Sequence, residues 1–126
     1  MAVGVRKRVL VVEDNADVRE LLSELLGAHG YAVNGAATGA EGIANALKSP
    51  PDLILVDLCL PDNDGLSVAR TLLSDAALAG VPVLTISAYD AVHLRAEAVE
   101  VGCAGYAVKP FEPERLVETV RLLTGG

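Results

Sequence analysis

The chain has 126 residues, 52% of them hydrophobic, with 17 acidic against 10 basic side chains and a net charge of −7. This length suits one domain that buries most of its apolar surface without disulfide or metal staples, and the apolar share excludes a disordered acidic tail. The acidic balance, with no basic stripe beyond Arg6-Lys7-Arg8, repels a phosphate backbone and argues against direct nucleic-acid binding.

Five apolar runs alternate with five segments of helical period. Val9 to Val12 is the first strand candidate, too short for a signal-peptide core or a membrane span, so neither export nor a membrane is expected. The first helix is predicted from Ala16 to Ala28, where Val18, Leu21, Leu22 and Leu25 recur at helical spacing, with Arg19, Glu20 and Glu24 on the outer face. Tyr31 to Val33 is the second strand. Thr38 to Glu41 has the spacing of a capping box and opens an Ala-rich helix that closes before Ser49-Pro50-Pro51.

Leu53 to Val56 reads as a strand buried on both faces. It halts on Asp57, after which Leu58 to Gly65 forms a Pro/Asp/Asn/Gly turn. The third helix runs from about Leu66 to Ser74, burying Leu66, Ala69, Leu72 and Leu73. The fourth strand is expected within Val81 to Ile86, and Asp90 is read as the N-cap of a fourth helix reaching Val101. Gly105 to Val108 is the fifth strand. Pro113 then opens the last helix, with Glu112 and Glu114 near its positive end and Leu116, Val117, Val120 and Leu123 as its apolar stripe. Strict alternation with short linkers implies a parallel sheet covered by helices on both faces. The two cysteines, Cys59 and Cys103, make no CxxC pair, and a reducing cytoplasm is the simplest compartment.

The strand ends carry the chemistry. Glu13 and Asp14 follow the first strand, Asp57 the third, Ser87 the fourth and Lys109 the fifth, and in open α/β sheets that edge is where ligands bind. Two carboxylates about 4 Å apart repel by roughly 4 kcal/mol at an effective dielectric near 20, so three together call for a cation. Oxygen-only ligands favour Mg²⁺ over zinc, and Mg²⁺ seeks phosphate oxygens. Asp57 is therefore a candidate nucleophile toward phosphorus, because a carboxylate that attacks a phosphoryl group needs positioning and charge neutralisation more than a base.

Val11-Val12-Glu13-Asp14-Asn15, the Asp57 to Gly65 stretch, Val83 to Ala88, and Gly105 to Phe111 together resemble the receiver domain of response regulators in two-component signalling, over about residues 8–123. The resemblance implies a single receiver domain over residues 1–126, with a flavodoxin-like (βα)5 fold of strand order 2-1-3-4-5. It implies that Asp57 accepts a phosphoryl group from a sensor histidine kinase or a histidine phosphotransfer protein. Asp14 then binds Mg²⁺ directly and Glu13 mostly through water, with Asp57 and the backbone carbonyl of Cys59 completing the protein ligands; Mn²⁺ could substitute.

Ser87 and Lys109 would contact phosphoryl oxygens. Ser87 and Tyr106 would form the switch that remodels the face of the fourth helix, fifth strand and fifth helix toward a downstream protein partner. Kinase specificity would reside on the first helix. The Lys109-Pro110 peptide is usually cis in this family. Glu13 stands where Asp is commonest and Ser87 where Thr is, both keeping the needed group. Cys59 and Tyr89 occupy positions bordering the path of attacking water and are expected to tune the lifetime of the phosphorylated form.

Plainer readings stand beside these. Asp57 alone reads as a turn residue, Glu13-Asp14 as a helix-dipole pair, Lys109 as a surface lysine, and Tyr106 as a half-buried strand aromatic. Cys59 reads better as a small loop residue than as a redox sensor, His93 as a solvated partner of Glu97, and Asp62 and Asp64 as turn chemistry outside the metal site. An aspartyl-phosphate hydrolase of dehalogenase type would carry a second Asp where Cys59 stands. A nucleotide or flavin binder would need a Gly- or Ser/Thr-rich phosphate loop in place of Glu13-Asp14-Asn15. A pseudo-receiver acting by contact alone would not need every charged residue. The chain is expected to be either a stand-alone regulator or a receiver cut from a longer protein such as a hybrid kinase, and not a turnover enzyme.

Overall fold

The computed structural model describes residues 6–62, 64–89 and 91–125. Its elements alternate as β1 (Arg8–Val12), α1 (Ala16–Ala28), β2 (Ala32–Ala36), α2 (Gly39–Lys48), β3 (Leu53–Asp57), α3 (Gly65–Ser74), β4 (Val83–Ser87), α4 (Val92–Val101), β5 (Gly105–Val108) and α5 (Pro113–Thr124), with a 3-10 turn at Ala76–Leu78. The strands are all parallel and lie in the order β2-β1-β3-β4-β5, the expected flavodoxin-like arrangement.

The period-2 alternation of strand side chains divides the core into two layers. Val9, Val11, Leu53, Leu55, Leu84 and Ile86 pack with Leu22 and Leu26 of α1 and with Leu116, Val117 and Val120 of α5. Leu10, Val12, Ile54, Val56 and Val83 face the other way, toward Ala46 of α2 and Val68, Ala69 and Leu72 of α3. Every residue of β3 is buried, which is why its run is continuously apolar until Asp57. Fully burying each such aliphatic side chain is worth about 2 kcal/mol, so the register that carries Asp57 to the sheet edge is held by the core and not by the loop.

Local chemistry sets several boundaries. Asn15 caps α1, its side chain accepting from the N–H groups of Asp17 and Val18. Thr38 Oγ accepts from Glu41 N–H at 3.1 Å, while the Glu41 carboxylate reaches the N–H of Ala37, one residue before the expected capping-box partner. β2 begins and ends later than predicted. Tyr31 N–H is spent on Leu26 O in the turn that closes α1, and Asn34 and Gly35, poor strand formers alone, are carried by pairing with Leu10 and Val11. β4 starts after Pro82, which has no N–H to give, at Val83.

α3 buries Val68 with Leu66, Ala69 and Leu72 but covers Leu73 only partly. The expected cap of the fourth helix, Asp90, lies outside the described residues; the helix starts at Val92, and Ala91 at its N-cap offers no side-chain acceptor.

Candidate functional site

Parallel strands deliver their C-terminal residues to one edge, and the hydrogen-bonded ladder continues just past the strands there. Glu13 N–H donates to Ala36 O at 2.9 Å, Leu58 N–H to Ile86 O at 2.9 Å, and Lys109 N–H to Ser87 O at 2.7 Å. The backbones that carry Glu13, Asp57, Ser87 and Lys109 are thereby tied to neighbouring strands. Glu13 and Ser87 are fully buried and Asp57 nearly so, whereas Asp14 is exposed.

The charged groups meet as the strand-end reading expects. One carboxylate oxygen from each of Glu13, Asp14 and Asp57 lies within 4.8 Å of the others. Lys109 Nζ bridges two of them, bonding Glu13 Oε1 and donating to Asp57 Oδ2 at 3.2 Å. The other oxygen of Asp57 accepts from Cys59 N–H at 3.0 Å. The bridging peptide, Lys109-Pro110, is cis.

Burial pushes the Glu13 carboxyl up from 4.5 to about 7, with the neighbouring Asp57 adding to the rise and the Lys109 hydrogen bond opposing it. Burial is the largest single influence on Lys109 and pulls its ammonium down, yet Glu13 and Asp57 together outweigh it and raise the value above the ordinary one. Three carboxylates against one ammonium leave a local excess of negative charge. All-oxygen donors converging within 4.8 Å with an excess of negative charge fit a hard divalent cation such as Mg²⁺.

The loop after β3 folds back on the site. Cys59 and Asp64 form an isolated antiparallel bridge, and Gly65 N–H returns to Leu58 O at 3.1 Å. A Cβ at Gly65 would press on the Asp57 carbonyl and come within 2.5 Å of Leu58 Cα, so only glycine lets α3 begin this close to the Asp57 backbone. Cys59 is exposed, and with Asp14, Leu60, Pro61 and Asp62 it lines an open cavity of about 560 Å³ beside the carboxylates.

Asp64 is the turn residue expected of it and also caps α3, accepting from Leu66 N–H at 2.8 Å. Asp62 is more than turn chemistry. Its carboxylate accepts from Gly39 N–H at 2.8 Å and Ala40 N–H at 3.0 Å, tying this loop to the first turn of α2, and those bonds hold its carboxyl below the usual range. The partners are 22 and 23 residues away, and no local pattern announces them.

Ser87 Oγ accepts from Tyr89 N–H at 3.0 Å. The Tyr89 side chain is 62% exposed, while its carbonyl accepts from Tyr106 Oη at 2.7 Å. Tyr106 is half-buried against Leu58, Leu66 and Ala98, with the Arg95 guanidinium 4.8 Å from its ring centre. Ser87 and Tyr106 thus grip the same residue from its two backbone ends. Beyond Tyr106, a cavity of about 480 Å³ opens between α4, β5 and α5, lined by Arg95, Phe111, Glu112, Arg115 and Thr119 among others.

Arg19 was expected on the solvated face of α1 and lies elsewhere. Its guanidinium turns back over the end of β1 and donates to Glu13 O at 2.7 Å and Asp14 O at 3.1 Å. Helical periodicity places the Cα of a long side chain but not its tip, and so missed this contact.

Residues 9–121 match the family model described as the response regulator receiver domain. The chain is 34% identical over 119 residues to the polar-differentiation response regulator DivK of Brucella ovis, covering 94% of this chain and 97% of DivK. It is 40% identical over 116 residues to the transcriptional regulatory protein PrrA of Mycobacterium leprae, covering 92% of this chain and 49% of PrrA. The chain spans about half the length of the first curated relatives it matches, all of them named as transcriptional regulators. Among solved structures, the chemotaxis protein CheY4 of Vibrio cholerae superposes with a TM-score of 0.89 at 30% identity, over 94% of this chain and 99% of that one. By its sheet order, by the residues gathered at its strand ends and by these matches, the chain belongs to the response regulator receiver domains of two-component signalling.

Proposed function

We propose that residues 1–126 act as one receiver domain, a cytoplasmic switch in which Asp57 accepts a phosphoryl group from a histidine kinase or histidine phosphotransfer protein. The observation that carries this is the convergence of the Glu13, Asp14 and Asp57 carboxylates at 4.8 Å or less, with Lys109 bridging two of them. In the forward step an Asp57 carboxylate oxygen forms a bond to phosphorus as the donor's N–P bond breaks. The electron pair leaves on the imidazole nitrogen, which takes a proton from solvent. In the later hydrolytic step, a water oxygen forms the new O–P bond as the Asp57 O–P bond breaks, the electron pair returns to the Asp57 carboxylate, and inorganic phosphate leaves with the water's protons. The chain carries out both on itself and turns over no separate substrate.

Glu13, Asp14, Asp57 and the Cys59 carbonyl would hold Mg²⁺, which supplies neutralising charge to the phosphoryl oxygens. Lys109 would leave its carboxylate contacts to follow the new charge, as a point cation on a flexible stem can. The Ser87 hydroxyl would turn toward a phosphoryl oxygen and give up Tyr89 N–H. Because Tyr106 Oη bonds the Tyr89 carbonyl, that movement would pull on Tyr106 and reshape the α4-β5-α5 face where a downstream protein docks. The exposed side chains of Cys59 and Tyr89 flank the route by which water would reach the acyl phosphate and would set its lifetime.

Incubation with Mg²⁺ and acetyl phosphate, followed by intact mass measurement, tests the reading. A labile gain of one phosphoryl group, lost in Asp57→Asn, is expected. No adduct at any Mg²⁺ concentration would leave a pseudo-receiver acting by contact alone.

A further inference from the structure

Three successive carbonyls of the β1–α1 loop are held by one residue. Arg19 N–H donates to Asn15 O at 3.0 Å as an ordinary helical bond, and its guanidinium donates to Glu13 O at 2.7 Å and Asp14 O at 3.1 Å. A peptide unit is planar, so fixing its carbonyl direction fixes the whole plane. The Glu13 carbonyl belongs to the plane before Asp14 and the Asp14 carbonyl to the plane after it. With both planes pinned, φ and ψ of Asp14 are set, and with them the direction of the Cα–Cβ bond from which its carboxylate extends. Glu13 is pinned from its other side by the bond from its N–H to Ala36 O. Asp14 is exposed, so burial of its own side chain does not fix its backbone, and the Arg19 bonds are the contacts that hold it.

The neighbouring edge strand leaves room for the device. A Cβ on Gly35 of β2 would stand 3.2 Å from Arg19 Cδ and 3.7 Å from its Nε, so any side chain there would crowd the stem where it lies across the strand. Gly is otherwise a weak choice in a strand interior.

We infer that Arg19, berthed by Gly35, is a positioning residue for divalent-cation binding, acting through the backbone of Glu13 and Asp14. The inference rests on the proposed role of those two carboxylates as metal ligands. Residues that orient metal ligands without touching the ion typically alter affinity by about tenfold or more when removed. The sign of the effect separates this role from simple electrostatics. Arg19→Ala removes a positive charge near the site, which by Coulomb attraction alone would tighten Mg²⁺; loss of the pin weakens it.

The test is calorimetric Mg²⁺ titration of the wild type, Arg19→Ala, Arg19→Lys and Gly35→Val, with NMR backbone order parameters at Glu13 to Asn15 in metal-free protein. Arg19→Ala is expected to bind about tenfold more weakly. Arg19→Lys, which keeps the charge but not the guanidinium, should recover part of the loss. Gly35→Val, which favours the strand while crowding the Arg19 stem, should hold its unfolding midpoint yet bind more weakly. The order parameters at Asp14 should fall in Arg19→Ala without metal. Unchanged or tighter Mg²⁺ binding by Arg19→Ala overturns the inference, and if that variant does not fold, unchanged affinity in Gly35→Val does so. A wild type that takes up no Mg²⁺ would instead overturn the metal-ligand reading beneath it.

Discussion

Helices α4 and α5 flank the same strand, β5, and are attached to the molecule in opposite ways. α5 opens on Glu112, whose side chain accepts from Arg115 N–H, has Pro113 in its first turn, and buries Leu116, Val117, Val120 and Thr124. Thr124 also donates to Val120 O at 2.8 Å and lies 3.3 Å from the Tyr31 hydroxyl, joining the helix end to the start of β2. Among the described residues α4 has no side-chain cap and buries only Ala98, while Val92 and Val99 stand 84% and 74% exposed. A helix with few buried contacts opens at lower free energy than one locked into the core. The domain therefore sets a fixed helix and a lightly held one on either side of the strand that bears Tyr106 and leads to Lys109, and the side that can move cheaply is the side on which Tyr106 packs.

The largest effect should come from cutting the anchored side. Leu116→Ala removes a 4% exposed side chain from the α1/α5 layer and should cost about 3 kcal/mol in urea unfolding; a loss below about 1 kcal/mol would mean that α5 is no better held than α4.

Next comes pH, which probes the edge where β5 ends. Burial, with Asp57 beside it, pushes the Glu13 carboxyl up from 4.5 to about 7 in the folded chain. Its folded value is the higher one, so its contribution to stability is fully present below about 4.5 and is lost as pH rises through about 7. Metal-free protein should lose on the order of 3 kcal/mol of stability across that window from this group. Saturating Mg²⁺, which competes with the proton for the carboxylate, should flatten or reverse the slope. A flat metal-free profile would contradict the burial of Glu13.

A smaller effect of opposite sign should follow from giving Ala91, at the N-cap of α4, a side-chain acceptor. Ala91 has the extended backbone of an N-cap, with φ −109° and ψ 132°, so Ala91→Asp should stabilise the domain by about 1 kcal/mol, and slower hydrogen exchange should appear first in the α4 amides. The smallest is Val99→Ala, where an exposed side chain should change stability by less than about 0.5 kcal/mol. A larger loss there would show that Val99 is packed more than its 74% exposure indicates.

Much of the fold was open to inspection in the residues themselves. α1 runs from Ala16 to Ala28 as its periodicity dictates, Pro113 and Glu112 mark α5, and the apolar run of β3 stops on Asp57. These cues are local, because helix phase, caps and strand alternation depend on neighbours within a few residues. Where sequence and structure differ, the deciding partner is distant. Asn34 and Gly35 are strand because β1 pairs with them. Asp62 reaches the first turn of α2 from the loop after β3. The tip of Arg19 goes to loop carbonyls and not to water.

The candidate site divides along the same line. Which groups could take part, namely Glu13, Asp14, Asp57, Ser87 and Lys109, follows from sequence alone, since each stands at or just past the C-terminal end of a strand and parallel strands must end on one edge. How they engage was decided by tertiary structure. Lys109 bonds Glu13 from 96 positions away and shares Asp57 with it, and burial lifts Glu13 toward neutrality. Coulomb and desolvation energies depend on distances of a few ångströms and on the exclusion of water, and neither exists until the two layers of core have closed on the sheet.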